Sequence, residues 1–542
     1  DSLVESARQK PLGNTVLDGV GIAILRTGEM PERAAAGIVY GDAPYHRHMD
    51  LLDVQLYAYD RPFISDLGYP QSWASVHCWE GHWATHNSVW SVAPDLHPLE
   101  LPFDTPQPFL KAIAGRGRLV RILSSEGLQV AEVEAERWAW NPVEQRWYRP
   151  GIYFRRLIAL VETDGQGVAL IDLARVAGGA EHWRICRGLE GEFAVQGIES
   201  EKLSGTAAGP GVERGQLDRL AHPDHAALAY MDQPTQLQTT GAWRGTWTSS
   251  HDPAAKLDLH ALRAPNGVLT ARATAAMGTP DQSGYTYRTL LWRRESEETS
   301  CFDLVFEPRL GPATLSRAEA VPASDPDAIG VRIETRAGRE LTLYWHPQSR
   351  EPTRYADGTE LSGGIAACID GEWCSTGAAT VQTRTRRNHF PRARQIATIT
   401  ALDRDTSTVE VTGLSQIATG DRVRIRSTGR NYRVVAVAAL AESSHRLTLD
   451  LSSILGKARI AAVCGSEVEL DFFLPTRTGY LHSTRLERAS DGTWQPIVDA
   501  ANPDMDRTVV ELASPPQGWS AGDWVRAVAY TVGDAIEFEP AK

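Results

Sequence analysis

The stretch YHRHMDLLDVQLYAYDRPFISDLGYPQSWASVHCWEGHWATHNSVW, residues Tyr45–Trp90, carries a strand pattern and an unusual set of side chains together. In LLDVQLYAYDRPFIS apolar and polar residues alternate, with a break at Asp60-Arg61-Pro62, which predicts two short strands around a turn. The same stretch holds His46, His48, Asp66, His77, His82 and His86. Imidazole and carboxylate are ligands that a borderline cation such as zinc accepts, and residues at i and i+2 of a strand share a face, so His46 and His48 are neighbours. The hairpin folds Asp66 back beside His48. His77 and His82 stand as reserve ligands, at spacings from His86 that suit a loop as much as a helix. Taken singly, each histidine reads as an ordinary polar surface residue; taken together they point to one site.

The run H-x-H-x-D-L at His46–Leu51, followed by D-L-G-Y at Asp66–Tyr69 and H-N-S-V at His86–Val89, resembles the C-terminal half of heparinase II/III-type polysaccharide lyases. The order of all three pieces carries the resemblance. It implies that His48, Asp66 and His86 hold a zinc or similar ion, and that His46 belongs to the catalytic site. It extends to the opening strand Val16–Arg26, to Tyr153–Leu157, and to IDLARVAGG at Ile171–Gly179 with His182 after it. There a glycine pair serves a turn or bulge, and His182 is a secondary cleft candidate.

Outward from this region the chain has 542 residues, 42% hydrophobic and 23% charged, enough for two to four domains. Its net charge is -13 and no basic run stands out, which argues against nucleic acid as a partner, since duplex binding needs a clustered cationic face; local basic clefts stay open. Six of the 55 basic residues are lysine and 49 are arginine. Guanidinium grips carboxylate and sulfate with paired hydrogen bonds, although a codon bias explains the count equally well. No apolar run is long enough to span a bilayer, and DSLVESARQK has no signal-peptide pattern. The six cysteines are dispersed and lack C-x-x-C spacing, so no cysteine metal site is expected; Cys368 and Cys374, bracketing IDGEW, suit either a hairpin disulfide or two free thiols.

Short alternating segments bounded by Gly, Asp and Ser recur throughout, and no long window has helical period. The expected fold is therefore all-β: a large antiparallel β-sandwich over residues 1–390, a small barrel-like module over 391–465, and a small sheet module over 466–542. Gly420-Asp421-Arg422-Val423-Arg424 and Gly522-Asp523-Trp524-Val525-Arg526 are faint echoes of one another, and Gly533-Asp534 is a third such pair.

The resemblance implies cleavage of a uronic-acid polysaccharide, of glycosaminoglycan or alginate type, by β-elimination. That reaction needs a base near working pH and a neutralised carboxylate. His46 is the expected base or carboxylate-polarising residue, beside a zinc or similar divalent cation read as structural, although three ligands and an open position also describe catalytic zinc, with Tyr45, Arg47, Trp79 and Trp83 as substrate-binding residues. The family's helical toroid, which supplies the acid–base tyrosine, has no counterpart in the pattern of this chain. The resemblance thus implies a piece or processed product of a longer periplasmic or secreted enzyme, or a chain acting beside a separate one, or a noncatalytic descendant. The alternative function is a noncatalytic carbohydrate-binding or structural β protein, favoured by the 16 tryptophans, whose indole faces stack on sugars.

Overall fold

The computed structural model describes residues 13–18, 20–27, 34–41, 48–67, 79, 81–92, 113–141, 146–164, 167–220, 222–263, 268–274, 285–295, 298–347, 351–376, 380–383, 387–389, 395–415, 417–474, 476, 480–502 and 506–538. Tyr45, His46, Arg47, Trp73 and His77 lie outside them. Among the described residues the chain is nearly all strand, with 3-10 turns at Trp83–Thr85 and Pro223–Tyr230, and no helix is long and apolar enough to cross a membrane. One compact unit runs to Phe390 and a second covers Pro391–Ala541.

The first unit opens with a five-stranded meander, in sequence order, from Thr15–Leu17 to Arg61–Ile64. Its strands alternate as half-buried strands do: in Ile22–Thr27 and Val54–Ala58 every second side chain is buried. A 14-stranded antiparallel sheet follows. Within it, third and fourth from the edge strand Ile113–Ser125, Tyr153–Glu162 and Val168–Ala177 pair without a slip from Tyr153↔Ala177 to Glu162↔Val168. These two are almost continuous apolar runs because both of their faces are covered. Phe154, Ile158 and Leu160 enter the core shared with the meander, whereas Leu157, Ala159 and Val161 enter a second core. That second core is completed by the five-stranded sheet of Leu315–Pro322 to Glu372–Thr376, through Val331, Leu343, Trp345 and Ile365. The large sheet is therefore the middle layer of a three-layer β stack.

The second unit contains two closed barrels of six strands each. The first is built from Gln395–Asp403, Thr408–Thr412, Arg422–Ile425, Asn431–Ala441 and Ser444–Leu449, and is closed by Ala535–Phe538. The second occupies Ile454–Cys464 to Trp524–Val528. Numbering the strands of each in chain order, both close in the order 1-2-5-4-3-6, so the second barrel is inserted between the fifth and sixth strands of the first. The expected division at 465/466 is corrected accordingly. It falls on the turn of a hairpin, where Gly465 has φ 62° and Cys464 pairs with Glu467, and the last strand belongs to the first barrel.

The three Gly-Asp pairs are one turn used three times. Gly420, Gly522 and Gly533 have φ of 96°, 93° and 92°, the left-handed region that glycine enters without a Cβ clash. The following aspartate accepts the backbone N–H three residues back: Asp421 from Ala418 at 2.8 Å, Asp523 from Ser520 at 3.0 Å and Asp534 from Thr531 at 2.8 Å. Asp534 also holds Arg485 of the second barrel through both carboxylate oxygens, at 2.8 and 2.6 Å.

The cysteine pair resolves as thiols. Cys374 lies opposite Ala367 and Cys368 opposite Trp373, so the two side chains leave opposite faces of the hairpin and cannot bridge.

Candidate metal centre

Three segments from different parts of the quoted stretch converge. His48 leads into the bend at Met49–Asp53, where Met49 N–H donates to the Gly81 carbonyl at 2.7 Å and Leu52 N–H to the Val39 carbonyl at 2.7 Å. The hairpin Val54–Ala58 and Arg61–Ile64 then returns the chain to Asp66. Its turn is Tyr59-Asp60, with φ of 51° and 57°, one step earlier than expected. Pro62 sits inside the second strand, tolerated because that strand is the edge of the meander. His86 follows the 3-10 turn Trp83–Thr85, whose start is capped by His82: its Nδ1 accepts from Ala84 N–H at 3.3 Å.

Nitrogen and oxygen atoms of His48, Asp66 and His86 all lie within 4.8 Å of one another. The His86 Nδ1 and Asp66 Oδ2 are 2.8 Å apart, and the two imidazole centroids 5.3 Å. His86 is fully buried, while the Asp66 side chain is 24% exposed, so the group has a dry back and an open front. Burial alone would raise the Asp66 carboxyl, but the His86 charge, their hydrogen bond, Arg187 and His48 outweigh it and hold the group well below the ordinary carboxylate range. The His86 imidazole is raised, because Asp66, Asp53 and Asp50 overcome its burial. Asp50 itself is pushed up to about 6 by burial and by Asp53 and Asp66, against the pull of His86. The residues fit a borderline divalent cation. The donor set is two imidazoles and a carboxylate, and the His86 Nε2 is buried with no hydrogen-bond partner.

Buried arginines support this loop through its carbonyls. Arg156 Nη1 donates to the carbonyls of Leu52 and, at 2.8 Å, Asn87; Arg184 Nη1 donates to that of Ser88 at 3.2 Å; Arg187 reaches Thr85, and Arg137 reaches Ser91. Asp172 binds both Arg156, at 2.6 Å, and Arg184. Part of the arginine excess is thus structural, because a planar fork can serve two carbonyls and a carboxylate at once. Asn87 ties the site together: its N–H donates to Asp53 at 2.6 Å, its Nδ2 to the Ser65 carbonyl at 3.0 Å, and its Oδ1 accepts from Arg187 N–H at 2.8 Å. Sequence reasoning assigned no role to Asn87, Asp53 or these arginines. The H-N pair was the one available signal.

The other expected residues divide. His46, Tyr45, Arg47 and the reserve ligand His77 lie outside the described residues. Among the described residues His82 joins no ligand group; it caps the turn, and burial, with the charges of His225, His86 and Arg137, pushes its imidazole well below the usual range. Trp83 is corrected from groove wall to core. It is fully buried, stacked on Trp90 at 5.7 Å, and its indole donates to the Asp224 carbonyl at 2.8 Å. Trp79 is 6% exposed and packs near Tyr230. His182 is structural, held by Ser300 Oγ at 2.7 Å and the Gly178 carbonyl at 2.9 Å.

No protein-family model matches the chain, and no curated protein does. Among solved structures 28 chains match. A crystal structure of heparinase III is 14% identical with a TM-score of 0.37, over 62% of this chain and 43% of that one. Heparan sulfate lyase HepC from Pedobacter heparinus is 10% identical with a TM-score of 0.31, over 68% and 42%. The chain spans less than half the length of these lyases. Superpositions this loose carry no assignment of residues, which rests on the geometry above.

Proposed function

We propose that this chain is the β portion of a polysaccharide lyase that cleaves a uronic-acid polymer by β-elimination, with His48, Asp66 and His86 holding a structural zinc-type ion. The observation that carries the proposal is the meeting of these three side chains within 4.8 Å, from positions that the motif resemblance alone had grouped. The ion, when bound, supplies a fixed point for the loop rather than a reacting centre. His48 held there orients His46, two residues away, towards the substrate. His46 takes the proton from the carbon beside the uronate carboxylate, that electron pair forms the C4–C5 double bond, and the C4 glycosidic oxygen leaves. The leaving oxygen takes its proton from a tyrosine of a helical toroid of the family's kind, which no described residue supplies. The polymer is an anionic polysaccharide, and a periplasmic or secreted location suits it. The burial of Trp83 removes it from a sugar groove under this reading and under the noncatalytic sugar-binding alternative alike.

The test is the ultraviolet absorbance of the unsaturated uronate in a protein that includes the helical half. His46→Ala abolishes the rise and keeps the metal, whereas His48→Ala loses metal and stability together. Full activity in His46→Ala, or ordinary turnover by the 542-residue chain alone, overturns the proposal.

A further inference from the structure

Three of the four buried arginines around the His86 loop face a carboxylate: Arg137 meets Asp224 at 2.9 Å, and Arg156 and Arg184 share Asp172. Arg187 differs. It is fully buried, its Nη2 donates to the Thr85 carbonyl, and its Nε and Nη1 have no hydrogen-bond partner. Its charge acts on Asp66 and Asp53, on the acidic side of the metal centre. A buried guanidinium with unused donors is costly, and by Coulomb's law its charge opposes a cation at His48, Asp66 and His86. What it supplies in return is local. The Thr85 carbonyl before His86 is held by the Arg187 side chain, and the Asn87 side chain after His86 accepts the Arg187 backbone N–H. His86 is thus bracketed on both sides by one residue of the strand Glu181–Val195.

We propose that Arg187 is a positioning residue of the cation centre, gripping the Thr85 carbonyl so that the end of the 3-10 turn presents the His86 ring to the ion. This rests on the metal reading of His48, Asp66 and His86. The two possible influences of Arg187 have opposite signs. Acting only as a nearby charge, it weakens cation binding, and its removal tightens it; acting as a grip, its removal weakens binding in spite of the relieved repulsion.

The experiment is chelator competition for Zn²⁺ on the whole 542-residue protein, wild type against Arg187→Met and Arg187→Lys, with thermal unfolding of the metal-free forms. Methionine removes the charge and keeps bulk but leaves the buried Thr85 carbonyl without its donor, so metal-free Arg187→Met remains folded with a lowered melting temperature. Its Zn²⁺ affinity falls tenfold or more, as for other residues that orient metal ligands. Arg187→Lys, which keeps one donor for Thr85, lies between the two. Unchanged or tighter binding in a folded Arg187→Met overturns the proposal and leaves the metal reading standing. Should Arg187→Met not fold, Arg187→Lys decides alone: weaker binding with the fold intact supports the grip, while wild-type affinity, or loss of the fold here too, overturns it. A wild-type protein that takes up no Zn²⁺ overturns the metal reading itself, and the role of Arg187 with it.

Discussion

At His86 ligand chemistry and backbone anchoring meet, and only the first is visible in the sequence. Histidine and aspartate announce themselves by type, which marked six candidates in one stretch; the family resemblance is what singled out His48, Asp66 and His86 among them. Arg187 and Asp53 were not legible, because they act through contacts to residues 102 and 34 positions away, where no local pattern forms. Tryptophan misled for a related reason, since an indole that suits a sugar ring suits a core equally well. Asn87→Ala removes the acceptor for the buried Arg187 N–H and the donor to the half-buried Ser65 carbonyl. A loss of about 2 kcal/mol in denaturant unfolding, with weaker metal uptake, is expected. His260 gives a pH signature elsewhere in the first unit. Burial, with Arg244 nearby, depresses its imidazole to about 4, and its Nδ1 has no partner. Because the unfolded chain binds this proton first, the stability His260 contributes is intact above about pH 6.5 and is lost as pH falls to about 4, in all roughly 3 kcal/mol. His260→Gln flattens that part of the stability–pH curve, measured by urea unfolding across the window.

Among the elements, the strands were legible wherever one face is wet, because alternation marks them: Val54–Ala58 is the plainest case. The turn between it and Arg61–Ile64 was misplaced by one step because proline normally ends a strand, and edge position removes that restriction. The Gly-Asp echoes were visible but their meaning was not, since the shared object is a turn geometry and not a repeated strand. Two of these turns separate by substitution. Asp421→Ala removes only a cap and costs about 1 kcal/mol. Asp534→Ala removes the same cap and also leaves Arg485 without its bidentate partner, and costs about 3 kcal/mol. The difference in denaturation midpoints of the two variants measures the contact between the barrels.

On the scale of the whole molecule, the absence of helical period correctly implied stacked sheets, but the three-layer arrangement was hidden. A strand such as Tyr153–Glu162, feeding two cores by alternate residues, reads only as a hydrophobic run. The interleaving of the barrels was equally hidden, because the closing strand Ala535–Phe538 lies far along the chain from its partners Gln395–Thr398. A fragment of residues 391–541 is expected to fold, with cooperative unfolding and dispersed amide resonances. A fragment ending at 465 is expected not to fold, since it lacks the closing strand and keeps half a hairpin. The claim on which the function depends is that one cation sits between His48, Asp66 and His86, and zinc X-ray absorption spectroscopy on stoichiometrically loaded protein addresses it most directly. Two imidazole nitrogens and a carboxylate oxygen at about 2.0–2.2 Å, one imidazole being lost in His86→Ala, are the expected result. A protein that binds no stoichiometric zinc, or whose zinc keeps the same ligands in His86→Ala, contradicts it.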